Sequence, residues 1–268
     1  MNAVTALDIA LDEKQAIADA FGRAAETYDR HAEFQRDVGH RLLDKLPQDL
    51  NGKRILDLGC GTGYFSQKLL ERGATVVCGD LSLAMLDVAK RRCNDSKRAA
   101  FYQVDAECLP FDRGEFDYVF SSLALQWCED LSLPLSEAKR VTRQGGQVLF
   151  STLLEGSLYE LAMAWSEIDS YQHVNDFISP NRLKIALAQS HCANHDLDLP
   201  TITVWYPTAF AVMRDLKGIG ATHVSGRGQG LTSRKTLNQV EMAYQKFKNQ
   251  QGLLPATYQV CLGVIQHD

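Results

Sequence analysis

The sequence has 268 residues, 45% of them hydrophobic, 23% charged and 9% aromatic, which allows one sizeable core with an appended subdomain and excludes a disordered chain. Its formal net charge of -5 leaves no whole-surface basic field for nucleic acid, so an anionic partner must meet a local patch.

The first residues carry no basic segment followed by an apolar run, and no stretch of about 18 apolar residues occurs, so neither a secretory signal nor a membrane span is expected. The 7 cysteines are scattered without a Cys-x-x-Cys pair. They read as reduced thiols of a cytoplasmic protein, with no disulfide frame and no metal site.

In chain order, residues 12–46 read as helix. Ile17, Ala20 and Phe21 share one face, and Val38, Leu42, Leu43 and Leu46 form a second apolar stripe. Pro47 and Asn51-Gly52 end it. Short β-type runs follow at 54–58, 75–78, 99–104, 116–121 and 146–152, with helical spacing at 64–72, 84–93 and 136–141. This alternation indicates an α/β fold with a mostly parallel, doubly wound sheet and helices on both faces. Beyond Leu153 the pattern predicts helices at 158–168, 181–189, 209–216 and 233–248. Strands at 201–205 and 257–265 then form an edge hairpin under a helical lid. The chain accordingly divides into a closing helical segment (1–50), a ligand-binding core (51–152) and lid elements with the terminal hairpin (153–268).

The chemistry concentrates after the first run. Ile55-Leu56-Asp57-Leu58 leads into Gly59-Cys60-Gly61-Thr62-Gly63. Alternate glycines permit tight turning and close approach of a ligand to the backbone. The next helix offers free N–H groups to a carboxylate, and Asp57 can meet an ammonium, so the loop suits an amino-acid moiety. A dinucleotide loop needs a third glycine three residues after a Gly-x-Gly pair, and those places hold Tyr64 and Ser66. Asp80 ends the second run, where an acid reaches a ribose diol, and Asp105 ends the third, within reach of an adenine amino group. Any one of these acids alone reads as a helix cap or a solvated loop residue. Three at the ends of successive strands outline a nucleoside joined to an amino acid.

Residues 54–152 resemble the Rossmann-like methyltransferases, whose motif Asp/Glu-x-Gly-x-Gly-x-Gly and later acids they share. The resemblance implies a seven-stranded sheet with an antiparallel last strand and S-adenosylmethionine as donor, released as S-adenosylhomocysteine. It implies that Asp57, Gly59, Cys60, Gly61 and Gly63 hold the methionine part. Asp80 with Leu81 would hold the ribose and Asp105 with Ala106 the adenine, with Leu123, Tyr28 and Gln35 alongside. The sequence departs from many relatives at Arg143-Gln144-Gly145-Gly146, where they place proline before the glycines.

The flanks are more specific. Phe21 to Tyr28, Gln35, Leu123 to Cys128, Ser157 to Leu161, His173-Val174-Asn175 and, above all, Met213-Arg214-Asp215-Leu216-Lys217-Gly218-Ile219-Gly220-Ala221-Thr222-His223 resemble the malonyl-acyl-carrier-protein O-methyltransferases of biotin synthesis. That resemblance spans nearly the whole chain. It implies methyl transfer to the free carboxylate of a malonyl thioester, giving the ester that primes pimeloyl synthesis. The carboxylate is already ionised near neutrality, its ordinary pKa being about 4, so no general base is required. Arg214 and His223, with Arg23 behind them, are candidates to bind it, because a guanidinium fork matches a carboxylate. Tyr28, Gln126 and Trp127 are candidates at the crevice mouth. The expected partner is acyl carrier protein, docking on Lys139, Arg140 and Arg143 or, preferred, on Arg227, Arg234 and Lys235. The alternatives are a methyltransferase of a small free acid or quinone precursor, a non-catalytic donor-binding protein, and a dehydrogenase.

Overall fold

The computed structural model describes residues 6–93, 96–221 and 233–268. His223 and Arg227 lie outside the described residues. Helices α1 (Ala6–Ala24) and α2 (Glu33–Leu43) precede β1 (Arg54–Leu58), α3 (Tyr64–Glu71), β2 (Thr75–Asp80), α4 (Leu83–Cys93) and β3 (Ala99–Gln103). Then come β4 (Phe116–Ser122), α5 (Ser132–Val141), β5 (Thr142–Leu154), α6 (Tyr159–Ser166) and α7 (Pro180–Gln189). The chain closes with β6 (His195–Asp198), β7 (Thr201–Tyr206), α8 (Ala209–Gly218), α9 (Arg234–Tyr244) and β8 (Leu254–Gln266).

The sheet runs β3-β2-β1-β4-β5-β8-β6, with β7 also paired to β8. The first five strands are parallel and β8 is antiparallel to β5. Strands β6 and β7 lie along the same edge of β8 in one register, His195 opposite Ile265 and Thr201 opposite Gln259. They are one edge strand interrupted at Leu199-Pro200, since proline has no N–H to add to a ladder. Eight segments therefore make seven ribbons, as the resemblance implied, and the late hairpin stands at the sheet edge.

Side chains alternate between two cores, as a pleated strand dictates. Ile55, Phe120, Leu149 and Val260 face α2, α3, α6, α8 and α9, while Leu56, Val119, Phe150 and Cys261 face α5 and α7. The single helix expected over 12–46 is instead two helices flanking a 3-10 turn at Tyr28–Arg30. No proline breaks it. The turn is held from afar: Arg36 donates to the Asp29 carbonyl at 2.7 Å, and the Asp29 carboxylate accepts from Thr62 at 2.8 Å and pairs with Arg92.

At the departure from the family pattern, Arg143 pairs with Asp117 at 2.6 Å and the Gly145 N–H donates to the His267 carbonyl. A Cβ on Gly146 would lie 2.5 Å from the Asp117 carbonyl oxygen, so the irregular start of β5, where its register on β4 shifts, is fixed without a proline. No helix among the described residues is long and apolar enough to cross a membrane.

Candidate functional site

Strand order reverses between β1 and β4, and a cavity of about 840 Å³, counting its open mouth, lies at the carboxyl ends of the strands there. Its floor is the loop after β1. The Gly59 and Cys60 N–H groups donate to the Gly79 carbonyl at 2.8 and 3.0 Å, which ties the loop to β2. Gly59 has φ +72° and its absent Cβ would fall 2.3 Å from that of Ala124, so only glycine fits. Gly61, at φ +53°, has nothing within 4 Å of that position and lines the cavity. Gly63 packs on Ala89 of α4, away from the cavity.

The acids stand where the strands end. Asp80 lines the cavity and accepts from the backbone N–H groups of Gly61 and Ser82, each at 2.8 Å. Burial pushes its carboxyl up from the ordinary range against those two bonds. Asp105 also lines the cavity, beside Leu81, Ala106 and Leu123. Lys14 of α1 pairs with it at 2.6 Å and with Glu107 as well.

Asp57 lies beneath the floor. It is buried, is not among the lining residues, and accepts from the Ser66 hydroxyl at 2.5 Å. Burial, with the Asp80 charge adding to it, holds its pKa at about 7 despite the Ser66 bond. Cys60 is likewise buried away from the cavity, its thiol pushed up chiefly by Cys78 and by burial. Gly61 and Asp80 thus line the cavity, and Asp57 lies behind the loop on Ser66.

A second cavity of about 670 Å³ adjoins the first, and Phe21, Tyr28, Leu123 and Trp127 line both. Phe21 and Trp127 meet edge to face at 5.1 Å. Leu123 has φ +51°, a left-handed backbone that is costly for leucine. It is pinned by its N–H donating to Ser151 at 2.9 Å and its carbonyl accepting from Gln126 at 2.8 Å. Burial pushes the Tyr28 hydroxyl well above the usual phenol range, so it stays protonated. Gln35, expected beside the donor, lines the second cavity instead, together with Gln126 and His173.

Neither arginine proposed to bind a carboxylate lines either cavity. Arg214 stands on the outer face of α8 with its side chain 72% exposed, its nearest acid Asp215 at 3.9 Å, and Arg23 is exposed at the end of α1. Helical periodicity explains this: Leu216 and Ile219 of the same segment take the inward face. The basic run at Lys139–Arg143 is tied down, Arg140 to Glu137 and the Leu109 and Phe111 carbonyls, Arg143 to Asp117. Sequence reasoning missed Lys14, Ile17 and Met85 in the first cavity and Phe34, His173, Phe177 and Tyr258 in the second. Three of these carried a signal: Ile17 on the apolar face shared with Ala20 and Phe21, and His173 and Tyr258 within segments that resemble the family. Among the described residues no cluster of His, Cys, Asp or Glu could hold a metal ion.

Comparison with known proteins accords with this geometry. The family described as "Methyltransferase domain" matches residues 56–150. The YcgJ protein from Bacillus subtilis superposes with a TM-score of 0.61 at 17% identity, covering 87% of this chain and 99% of that one, which shows the fold. The malonyl-[acyl-carrier protein] O-methyltransferase of Yersinia pestis is 44% identical over 96% of this chain and 92% of its own length. That of Serratia marcescens is 45% identical over 95% of this chain and 96% of its own. At such identity over nearly its whole length, the chain belongs to the malonyl-[acyl-carrier protein] O-methyltransferase family.

Proposed function

We propose that this protein transfers a methyl group from S-adenosylmethionine to the free carboxylate of malonyl-acyl carrier protein, giving the methyl ester that primes pimeloyl synthesis. One observation carries the reading: two cavities share a wall of four side chains, and only the first is ringed by strand-end carboxylates. Among the described residues the second has no Asp, Glu, Lys or Arg in its lining. Two substrates can thus meet at a boundary made of Phe21, Tyr28, Leu123 and Trp127.

The first cavity suits the donor. Gly61 leaves the space a ligand backbone needs, Asp80 takes the ribose hydroxyls, and Asp105 with Ala106 takes the adenine edge. Asp57 acts from below the loop on the methionine end. S-adenosylmethionine, once bound, supplies an electrophilic methyl on a sulfonium. The protein's own work is to desolvate the acceptor oxygen and hold it in line. The apolar boundary excludes water, and Tyr28, Gln126 and Trp127 position the acceptor. The left-handed Leu123 keeps that boundary rigid. On this reading residues 1–50 close over the donor, 51–152 bind it, and 153–268 supply the acceptor cavity and the edge hairpin. The 7 cysteines are free in the structure, which supports placing the protein in the cytoplasm.

The test is direct. Incubation with S-adenosylmethionine and malonyl-acyl carrier protein should add one methyl to the carrier-bound acyl group by mass spectrometry. Methylation of free malonate and not of the carrier-bound form would overturn the acceptor assignment while leaving the donor site standing.

A further inference from the structure

A family of carboxylate methylators needs a group that recognises the carboxylate, and among the described residues no arginine lines the cavity. Gln35 does. It stands on α2, its Oε1 is buried without a hydrogen-bond partner, and none of its side-chain atoms bonds any described residue. A buried amide oxygen left unpaired is destabilising, and such groups are rare unless a ligand or water satisfies them.

Gln126, the other glutamine of this cavity, differs in polarity. Its Nε2 already donates to the Leu123 carbonyl at 2.8 Å, and the unpartnered atom is its Oε1 acceptor. An acceptor repels a carboxylate and suits a substrate N–H. Gln35 has both amide ends uncommitted, and its Nε2, unlike its buried Oε1, keeps accessible surface from which it can donate. The imidazole in the lining, that of His173, has its Nε2 on the Asp169 carboxylate at 2.9 Å and its ring stacked on Trp165 at 3.6 Å.

We propose that Gln35 is the residue that recognises and orients the acceptor's free carboxylate, through a neutral amide donor instead of a cation. This rests on the malonyl-thioester reading above. The chemistry favours neutrality. As the carboxylate oxygen bonds the methyl carbon, its charge and that of the sulfonium cancel. A fixed cation would therefore hold the ionised substrate more tightly than the transition state and slow the step. An amide orients the carboxylate and leaves the second oxygen lone pairs free to attack. It also releases the uncharged ester.

The experiment compares wild type, Gln35→Leu and Gln35→Glu. Wild type must first methylate malonyl-acyl carrier protein; if it does not, the acceptor reading fails and Gln35 is not the reason. Given activity, Gln35→Leu should raise KM for malonyl-acyl carrier protein about tenfold. Its affinity for S-adenosylmethionine and for acetyl-acyl carrier protein, which lacks the carboxylate, should be unchanged. Gln35→Glu should lose more than Gln35→Leu, because it sets a like charge against the substrate. The melting temperature of Gln35→Leu should be equal to or above wild type, since no protein hydrogen bond is lost. Unchanged KM in Gln35→Leu overturns the proposal. So does a parallel fall in donor affinity, which would make Gln35 a donor contact, or a parallel fall in melting temperature, which would make it structural.

Discussion

Asp57 shows how one buried carboxyl couples the donor loop to pH. Its pKa is raised from 3.8 to about 7 by burial, with Asp80 adding and Ser66 opposing. A carboxyl whose folded pKa lies above its unfolded one binds its proton more tightly when folded. Its contribution to stability is complete below about pH 4 and declines as pH rises through 7, above which it is level. Replacing it with asparagine, which keeps the shape and cannot ionise, removes this slope. The melting temperature of Asp57→Asn, taken relative to wild type, should therefore climb between pH 4 and 7 and be constant above. A constant difference across that window would show that the carboxyl is ionised throughout. A bound cationic donor favours the charged form, so saturating S-adenosylmethionine should flatten the wild-type slope.

At the scale of elements, the donor cavity depends on how α1 is held. Lys14 reaches Asp105 at 2.6 Å and also Glu107, both in the turn after β3. Its ammonium is desolvated, but the bonds to Asp105 and Glu107 outweigh that and raise its pKa. Further along the helix, Ile17 and Phe21 line the cavity. The pair thus fastens α1 across the cavity at its Asp105 end. Partly exposed ion pairs contribute about 1 kcal/mol or less, so Lys14→Met should speed donor dissociation about fivefold, with little change in kcat at saturating donor. Stopped-flow release of S-adenosylmethionine measures this; an unchanged rate would show that α1 is held by its apolar face alone. Neither this contact nor the break between α1 and α2 was legible in the sequence. Both depend on side chains about 30 to 90 residues away, Lys14 on Asp105 and Asp29 on Thr62 and Arg92. The strands other than β6, and the Gly59 to Gly63 loop, were legible because their signals are local: apolar runs, turn glycines and acids at strand ends; the polar His195–Asp198 of β6 has no apolar run to mark it. The second cavity was not, since it is assembled from α2, α8, β8 and the turn around His173. Helix α8 is the sharpest case. The residues around Arg214 marked the family, yet helical phase turned Leu216 and Ile219 inward and Arg214 outward.

Across the whole molecule, that outward face has its own consequence. The α8 terminus packs on the start of the chain: a Cβ on Gly218 would strike the His31 ring, and one on Gly220 would meet Ala20 and Phe21. Arg214 and Lys217 are exposed on α8, and Arg23 and Arg30 are exposed on the segment its terminus packs against, so these contacting elements together carry four exposed cations. Among the described residues Arg23, Arg30 and Lys217 have no ion-pair partner, and Arg214 reaches only its neighbour Asp215, itself bonded to His31 at 2.8 Å. On a chain of net charge -5 these cations are a local attraction for an anionic partner. The expected partner, an acidic acyl carrier protein, has the complementary charge. Reversing Arg214 and Lys217 to glutamate should raise KM for the carrier-bound malonyl group about tenfold at low salt and spare a small malonyl thioester. The wild-type advantage should shrink as salt rises past the point where the Debye length falls below about 10 Å. If Arg214 instead bound the malonyl carboxylate itself, both substrates would suffer equally and the loss would persist in salt. The same pair of substrates thus separates a docking role on the rim from a recognition role inside the cavity, whose described lining carries no Asp, Glu, Lys or Arg.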